Sequence, residues 1–242
     1  MPQAQDSLCV DPRVDPLLGE LHAPVAMHLA GRYCRRRGEL EAFIARVFAK
    51  TCGARVTRFF PDLLAFSCEG DVNAVVGIRG ASSSQLFLEQ YLDVPAERAI
   101  SERAARPVNR TGVVEVGNLA LQSPGQARWI IAATTAFLAA ARFRWVIFTA
   151  AAPLVNAFRR LGLRPIRVAR ADAARLPDRG ASWGHYYDAV PLVYAGDVQA
   201  GARKLRQARC WQHDRLRELL VRAQVLGAGI PLTSRAAGRA GQ

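Results

Sequence analysis

The order of elements in this 242-residue sequence predicts an α/β fold built on a mixed sheet with helices on both faces. Short runs rich in Val, Ile, Leu and Phe cluster between residues 55 and 79, and from Pro124 onward helical and strand patterns alternate. Half of the residues are apolar and 22% are charged, enough to bury one sizeable core and too apolar for a mostly disordered chain.

Residues 1–38 carry Pro2, Pro12, Pro16 and Pro24 and end in Arg35-Arg36-Arg37-Gly38, which reads as an extended leader closed by a solvated turn. Glu39 to Cys52 spaces Leu40, Phe43, Ile44, Val47 and Phe48 as an amphipathic helix stopped by Gly53. Arg55–Phe60, Leu63–Cys68 and Asn73–Arg79 read as strands, parted by Pro61-Asp62 and by Glu69-Gly70-Asp71. The segment LFLEQYLD (86–93) leads into a short helix from Ala96 to Arg103, and GVVEVGNLAL (112–121) is the next strand. Gly125 to Arg142 is long, Ala-rich and helical; RWVIFT (144–149) is a strand, and Pro153 to Leu161 a short helix closed by Gly162. Leu163–Arg170 and Tyr187–Tyr194 complete the strands. Two basic amphipathic helices follow, near 197–208 and 211–226, before an unstructured end. The chain thus divides into a leader (1–38), a central domain (39–195) and a basic helical extension (196–242).

Lys and Arg number 33 against 20 acids, a net charge of +13, and all but Lys50 and Lys204 of the basic residues are Arg. Such a surface favours anionic partners, although a GC-rich genome would enrich Arg beside Ala in the same way. No helix-turn-helix, zinc finger or RNP-like aromatic set accompanies the charge, which argues against nucleic acid. The five cysteines and four histidines are scattered without metal-ligand spacing, so no metal site is expected and a cytoplasmic setting follows. The start of the chain lacks the basic and apolar regions of a signal peptide. The longest apolar run, Trp129 to Ala141, is too short for a spanning helix of roughly 20 residues.

Gln122-Ser123-Pro124-Gly125-Gln126-Ala127 joins a strand to a long helix. A Gly-containing turn there aims several backbone N–H groups one way, with the helix dipole behind them, and suits a pyrophosphate. This pattern resembles the coenzyme-A signature of the GNAT acyltransferase superfamily, and the elements that follow, through Asn156-Ala-Phe158-Arg-Arg-Leu161-Gly162, keep that superfamily's order. A closer resemblance spans residues 40–195. PDLLAFS (61–67), LFLEQYLD, VEVGNLA (114–120), VIFTA (146–150) and WGHYY (183–187) are similar to the bacterial thermostable hemolysin family. That family resembles acyl-homoserine-lactone and N-acyl amino acid synthases in organisation.

The resemblance implies a GNAT-like fold and an acyl thioester donor, acyl-CoA or acyl carrier protein, with Gln122, Gly125, Gln126, Ala127 and Asn156 on the donor side. Backbone N–H groups at Gly117, Asn118 and Leu119 would polarise the thioester carbonyl. Glu115 is the candidate base, or else an ion-pair partner for an Arg across the sheet. Glu89 and Asp93 form a second acidic site able to hold an acceptor amine, Asp93 also being placed to cap a helix. Where many GNAT enzymes carry a Tyr to protonate the thiolate, this chain has Phe158. Tyr186 or Tyr187 would have to substitute, unless both simply pack.

Three functions remain open on this reading. The first is an N-acyltransferase moving a fatty acyl group to a small amine. The second is a membrane-active lysin using the basic tail helices on an anionic bilayer, if their apolar faces do not dock on the core. The third is a non-catalytic GNAT-like module.

Overall fold

A computed structural model describes residues 25–82, 84–207 and 214–229; the leader through Pro24, Trp211 and the chain after Gly229 lie outside the described residues. Among the described residues, β1 (Val25–Ala30), β2 (Asp62–Cys68), β3 (Asp71–Gly80), β4 (Val113–Leu121), β5 (Trp145–Ala150), β6 (Ile166–Arg170) and β7 (Leu192–Asp197) form one sheet. Their spatial order is β1-β2-β3-β4-β5-β7-β6. Every neighbouring pair is antiparallel except β4 and β5, which run parallel. Glu69 and Gly70, both at positive φ (52° and 94°), make the tight turn between β2 and β3.

Six helices cover the two faces. On one, α1 (Arg37–Cys52) buries Leu40, Phe43 and Ile44 against Leu63, Ala65 and Val75, and α2 (Ala96–Ala104) packs beside β6. On the other lies α3 (Ala127–Ala140), whose Ile130, Ala133 and Phe137 meet Leu64, Phe66, Val76 and Val114. With it lie α4 (Ala152–Arg160), α5 (Val198–Gln207) and α6 (Asp214–Gly229). Side-chain alternation along β4 serves both faces at once: Val114 points to α3 while Val113 joins Ile147 and Ile100 on the α2 side.

The basic tail helices spend their apolar faces here. Val198, Ala202 and Leu205 of α5 and Leu216, Leu219, Leu220 and Ala223 of α6 are all buried, and both helices pack on α3. No helix among the described residues is long and apolar enough to cross a membrane.

Four local expectations change. Within the leader, Val25–Ala30 is the edge strand of the sheet, paired along its length with β2. Arg55–Phe60 is not a strand but an irregular segment crossing the end of the sheet. Arg37, read as part of a solvated turn, reaches that segment: its guanidinium donates to the carbonyls of Phe60 (2.5 Å) and Pro61 (2.7 Å), and to Glu41 (2.7 Å). Finally, Trp183–Ala189 coils into 3-10 turns and the last strand starts only at Leu192.

The α3–α6 contact yields a stability test. A Cβ at Gly227 would lie 2.3 Å from the Phe137 carbonyl oxygen. Gly→Ala inside a helix ordinarily gains about 1 kcal/mol. Here the overlap reverses the sign, and Gly227→Ala should cost about 2 kcal/mol in urea denaturation because α6 must shift off α3.

Candidate active site

The parallel pairing of β4 with β5 runs only from Val113–Trp145 to Val116–Phe148, although both strands continue. Beyond Val116 the two splay apart. A bulge against β3 accompanies the split, since Gly77 faces Gly117 but Val75 faces Ala120. Asn118 sits at φ 45°, a conformation Asn tolerates better than most residues, and its Oδ1 accepts the Phe60 N–H (2.9 Å). The Phe60 ring then rests where a side chain at 117 would be, and its Cβ where one at 77 would be. Added Cβ atoms there would approach Phe60 to 2.9 and 2.6 Å, so both positions need glycine.

A cavity of about 890 Å3 opens at this split and passes through the sheet. Behind the sheet its walls are mainly apolar, from Ile130, Ile131 and Leu138 of α3, Val146, and Phe148 stacked on Phe158 of α4 at 4.9 Å, with Thr134 and Thr135 among them. In front it meets Glu115, Arg79, Tyr91, Trp183 and Tyr186.

Glu115 is 2% exposed, and its carboxylate accepts the N–H groups of Phe87 (2.8 Å) and Leu88 (2.9 Å) in the 3-10 turn Phe87–Tyr91. Burial pushes its pKa up to about 7 even though those amides and the Arg79 charge pull the other way. Arg79 is its direct cross-strand partner on β3, with its guanidinium over the Phe60 ring, 4.5 Å from the centroid. The two side chains share a strand face without forming an ion pair, so a cation and a carboxyl group stand side by side at the front of the cavity.

Glu89 is placed differently. Its carboxylate accepts from Arg110 (2.6 Å) and from the Leu86 and Ala96 amides (2.9 Å each). Burial alone would raise its pKa, but these three partners outweigh it and hold the carboxyl below the usual range. Glu89 thus faces Arg110 rather than the cavity and fastens the turn that covers Glu115. Asp93 is paired with Arg175 at 2.8 Å. Tyr186 lines the front wall against Trp183, and burial pushes its phenol well above the usual range. Behind it the Tyr91 and Tyr187 hydroxyls share a 2.5 Å hydrogen bond. Burial together with that bond raises the Tyr91 pKa, so this hydroxyl keeps its proton at neutral pH.

Of the proposed donor-side residues, Gly117, Asn118 and Leu119 line the cavity at the free edge of β4. Gln122 is exposed and bonds Asn73 (2.9 Å). The turn at Ser123–Gln126 is capped from within: Ser123 Oγ accepts the Gly125 N–H (3.4 Å), and Gln126 Oε1 accepts the Ser123 N–H (3.3 Å). Ala127 opens α3, and Asn156 lies exposed on α4, outside the cavity wall. Sequence reasoning anticipated an Arg across the sheet from Glu115 without naming Arg79, and it missed Phe60. Only the strand register makes Arg79 the partner of Glu115, and no local pattern announces it.

The mixed sheet with its single parallel pair has a GNAT-like fold, and similar solved structures include synthases of that fold. FeeM, an N-acyl amino acid synthase from uncultured soil microbes, aligns at 11% identity with a TM-score of 0.56, over 78% of this chain and 99% of its own. The acyl-homoserine lactone (AHL) synthase LasI aligns at 11% identity with a TM-score of 0.52, over 77% of this chain and 96% of its own. BjaI with MTA, a CoA-dependent acyl-homoserine lactone synthase, aligns at 12% identity with a TM-score of 0.51, over 83% and 99%. No curated protein matches the sequence. The family model described as thermostable hemolysin matches residues 31–202, and the chain belongs to that family.

The raised pKa of Glu115 has a signed consequence for stability. The folded protein holds this proton up to about pH 7, whereas the unfolded chain releases it near 4.5. The folded state therefore binds more protons between those values, and stability falls as pH rises through the window. Urea denaturation of wild type and Glu115→Gln across about pH 4–8 should show wild type losing ground to the variant over that interval. A pH-independent difference would mean that the carboxyl is already ionised in the fold.

Proposed function

We propose that the protein is an N-acyltransferase that moves a fatty acyl group from a thioester, acyl-CoA or acyl carrier protein, to a small amine. The observation that carries this reading is the cavity itself, which joins a mainly apolar compartment behind the sheet to Glu115 in front of it through the β4–β5 split. A thioester lying in the split would send its chain toward Ile131, Leu138 and Phe158 and place its carbonyl against the free edge of β4. N–H groups at Gly117–Leu119 would there bind the oxygen as it gains negative charge.

Glu115, poised near neutral pH, accepts the proton of the attacking amine directly or through a water. The nitrogen forms its bond to the carbonyl carbon, the carbon–sulfur bond breaks, and the thiolate departs. Phe158 supplies no proton. The phenols that stay protonated at the front wall, Tyr91 and Tyr186, are acids in the cavity lining that could give the thiolate a proton. On the donor side, a pyrophosphate at Ser123–Gln126 would replace the two long internal caps with stronger charge-assisted bonds.

The reading predicts amine-dependent release of free thiol from long-chain acyl-CoA or acyl carrier protein, followed with a thiol reagent. Its rate should rise with pH through an ionisation near 7. Glu115→Gln should lower the rate by about 10²–10⁴-fold with little loss of donor binding. Leu138→Trp should move donor preference toward shorter chains by filling the rear compartment. Absence of turnover with either donor across a panel of amines would overturn the enzyme reading.

A further inference from the structure

The opposite end of the β4–β5 pair carries a second concavity, of about 680 Å3, between the chain leaving α2 and the chain entering β5. Arg106, Arg142 and Arg144 stand in its wall beside Thr111 and Trp145. Arg106 is engaged: it lies over the Trp145 ring, 4.7 Å from the centroid, and pairs with Asp197. Asp197 is engaged as well, since it accepts the Ala200 N–H (2.7 Å) at the start of α5. The Asp197 charge also acts on Arg144, but among the described residues no carboxylate lies within ion-pair distance of Arg142 or Arg144. One acid therefore offsets three guanidinium groups, and the concavity carries an excess of positive charge.

The backbone holds these cations deliberately. Arg144 is tied on both sides, its N–H donating to the Gly112 carbonyl (2.9 Å) and its own carbonyl accepting from Val198 (3.0 Å). Arg142 closes α3 at φ 65°, with its N–H on Ala139 (3.1 Å) and the next N–H, of Phe143, on Leu138 (3.1 Å). Helices commonly end on a residue in this left-handed conformation, and glycine adopts it without strain. Arg142 instead carries an exposed side chain from a backbone conformation that glycine adopts without strain, and it does so on the wall of a positively charged concavity. A strained position facing such a concavity points to a ligand.

We propose that this groove binds the phosphate group of a small phosphorylated molecule, with Arg142 and Arg144 as its primary contacts and Arg106 fixing the wall behind them. Two guanidinium groups on one wall, neither held in an ion pair, match the charge and the several acceptor oxygens of a phosphate better than those of a single carboxylate. The volume lies in the range of small-molecule sites. The groove sits at the other end of the strands from the cleft, so this site stands or falls independently of the acyl-transfer reading.

Titration calorimetry of the full chain with inorganic pyrophosphate at low ionic strength tests it, with glutarate as the carboxylate comparison. Gly125→Val, which adds a side chain to the Ser123–Gln126 turn, should leave the groove's binding in place. Wild type should bind pyrophosphate saturably and more tightly than glutarate. Arg142→Gly should weaken binding about tenfold while raising the melting temperature, because glycine relieves the strained φ. Arg144→Ala should weaken binding to a similar extent. The double substitution Arg159→Ala, Arg160→Ala on α4, which removes charge elsewhere, should leave affinity within about twofold. The proposal is overturned by unsaturable binding, by equal affinity for glutarate, by Arg142→Gly keeping wild-type affinity, or by the α4 pair weakening binding as much.

Discussion

The separation of β4 from β5 after Val116 is the constraint on which the rest of the site depends. A parallel pair that continued to Leu121 and Ala150 would close the sheet and leave no passage between its faces. Three features hold the pair open. The bulge between Val75 and Gly77 rotates β4 out of register with β3. Asn118 fixes the Phe60 amide, and glycines at 77 and 117 leave room for the Phe60 side chain. Arg37 clamps the Phe60 and Pro61 carbonyls from α1. Strand splay, the irregular 55–60 segment and the first helix therefore form one mechanical unit.

That unit also sets the electrostatics. With β4 and β3 in this register, Glu115 and Arg79 stand side by side under the Phe87–Tyr91 turn, and Glu115 is buried before any ligand arrives. Two N–H groups satisfy its oxygens, and leaving such buried amides unpaired would cost about 1–3 kcal/mol each. The turn itself is fastened from outside, where Glu89 holds Arg110 and Arg110 also holds Glu97 (2.7 Å). Two carboxyl groups on either side of the Phe87–Tyr91 turn thus divide the work: Glu89 is kept ionised by Arg110, and burial holds the Glu115 pKa up to about 7.

Much of this was legible in the sequence because the signals are local. The 3.6-residue periodicity of α1, the Pro-Gly turn before α3 and the apolar run of β5 each specify an element within about a dozen residues. What escaped was set by distant partners. Val25–Ala30 pairs with β2 across more than thirty intervening residues, so its proline-flanked sequence looked like a leader. Arg55–Phe60 has the composition of a strand but is held instead by Arg37 and Asn118. The strand read from Tyr187 onward starts only at Leu192, because the Arg55 N–H bonds to Ser182 (2.7 Å) and the His185 N–H bonds to Cys52 (2.7 Å), which coil the preceding aromatic run. Charge pattern marked the tail helices as candidate membrane binders, and only the packing on α3 shows where their apolar faces go.

The most direct test is a crystal structure with a long-chain acyl-CoA analogue whose thioester is replaced by a non-transferable thioether ketone. The account predicts the chain behind the sheet against Leu138 and Phe158, the carbonyl oxygen at the Gly117–Leu119 edge, and the carbonyl carbon within reach of an amine activated by Glu115. An acyl chain lying in front of the sheet, or on the surface of α5 and α6 with the split closed, would contradict it.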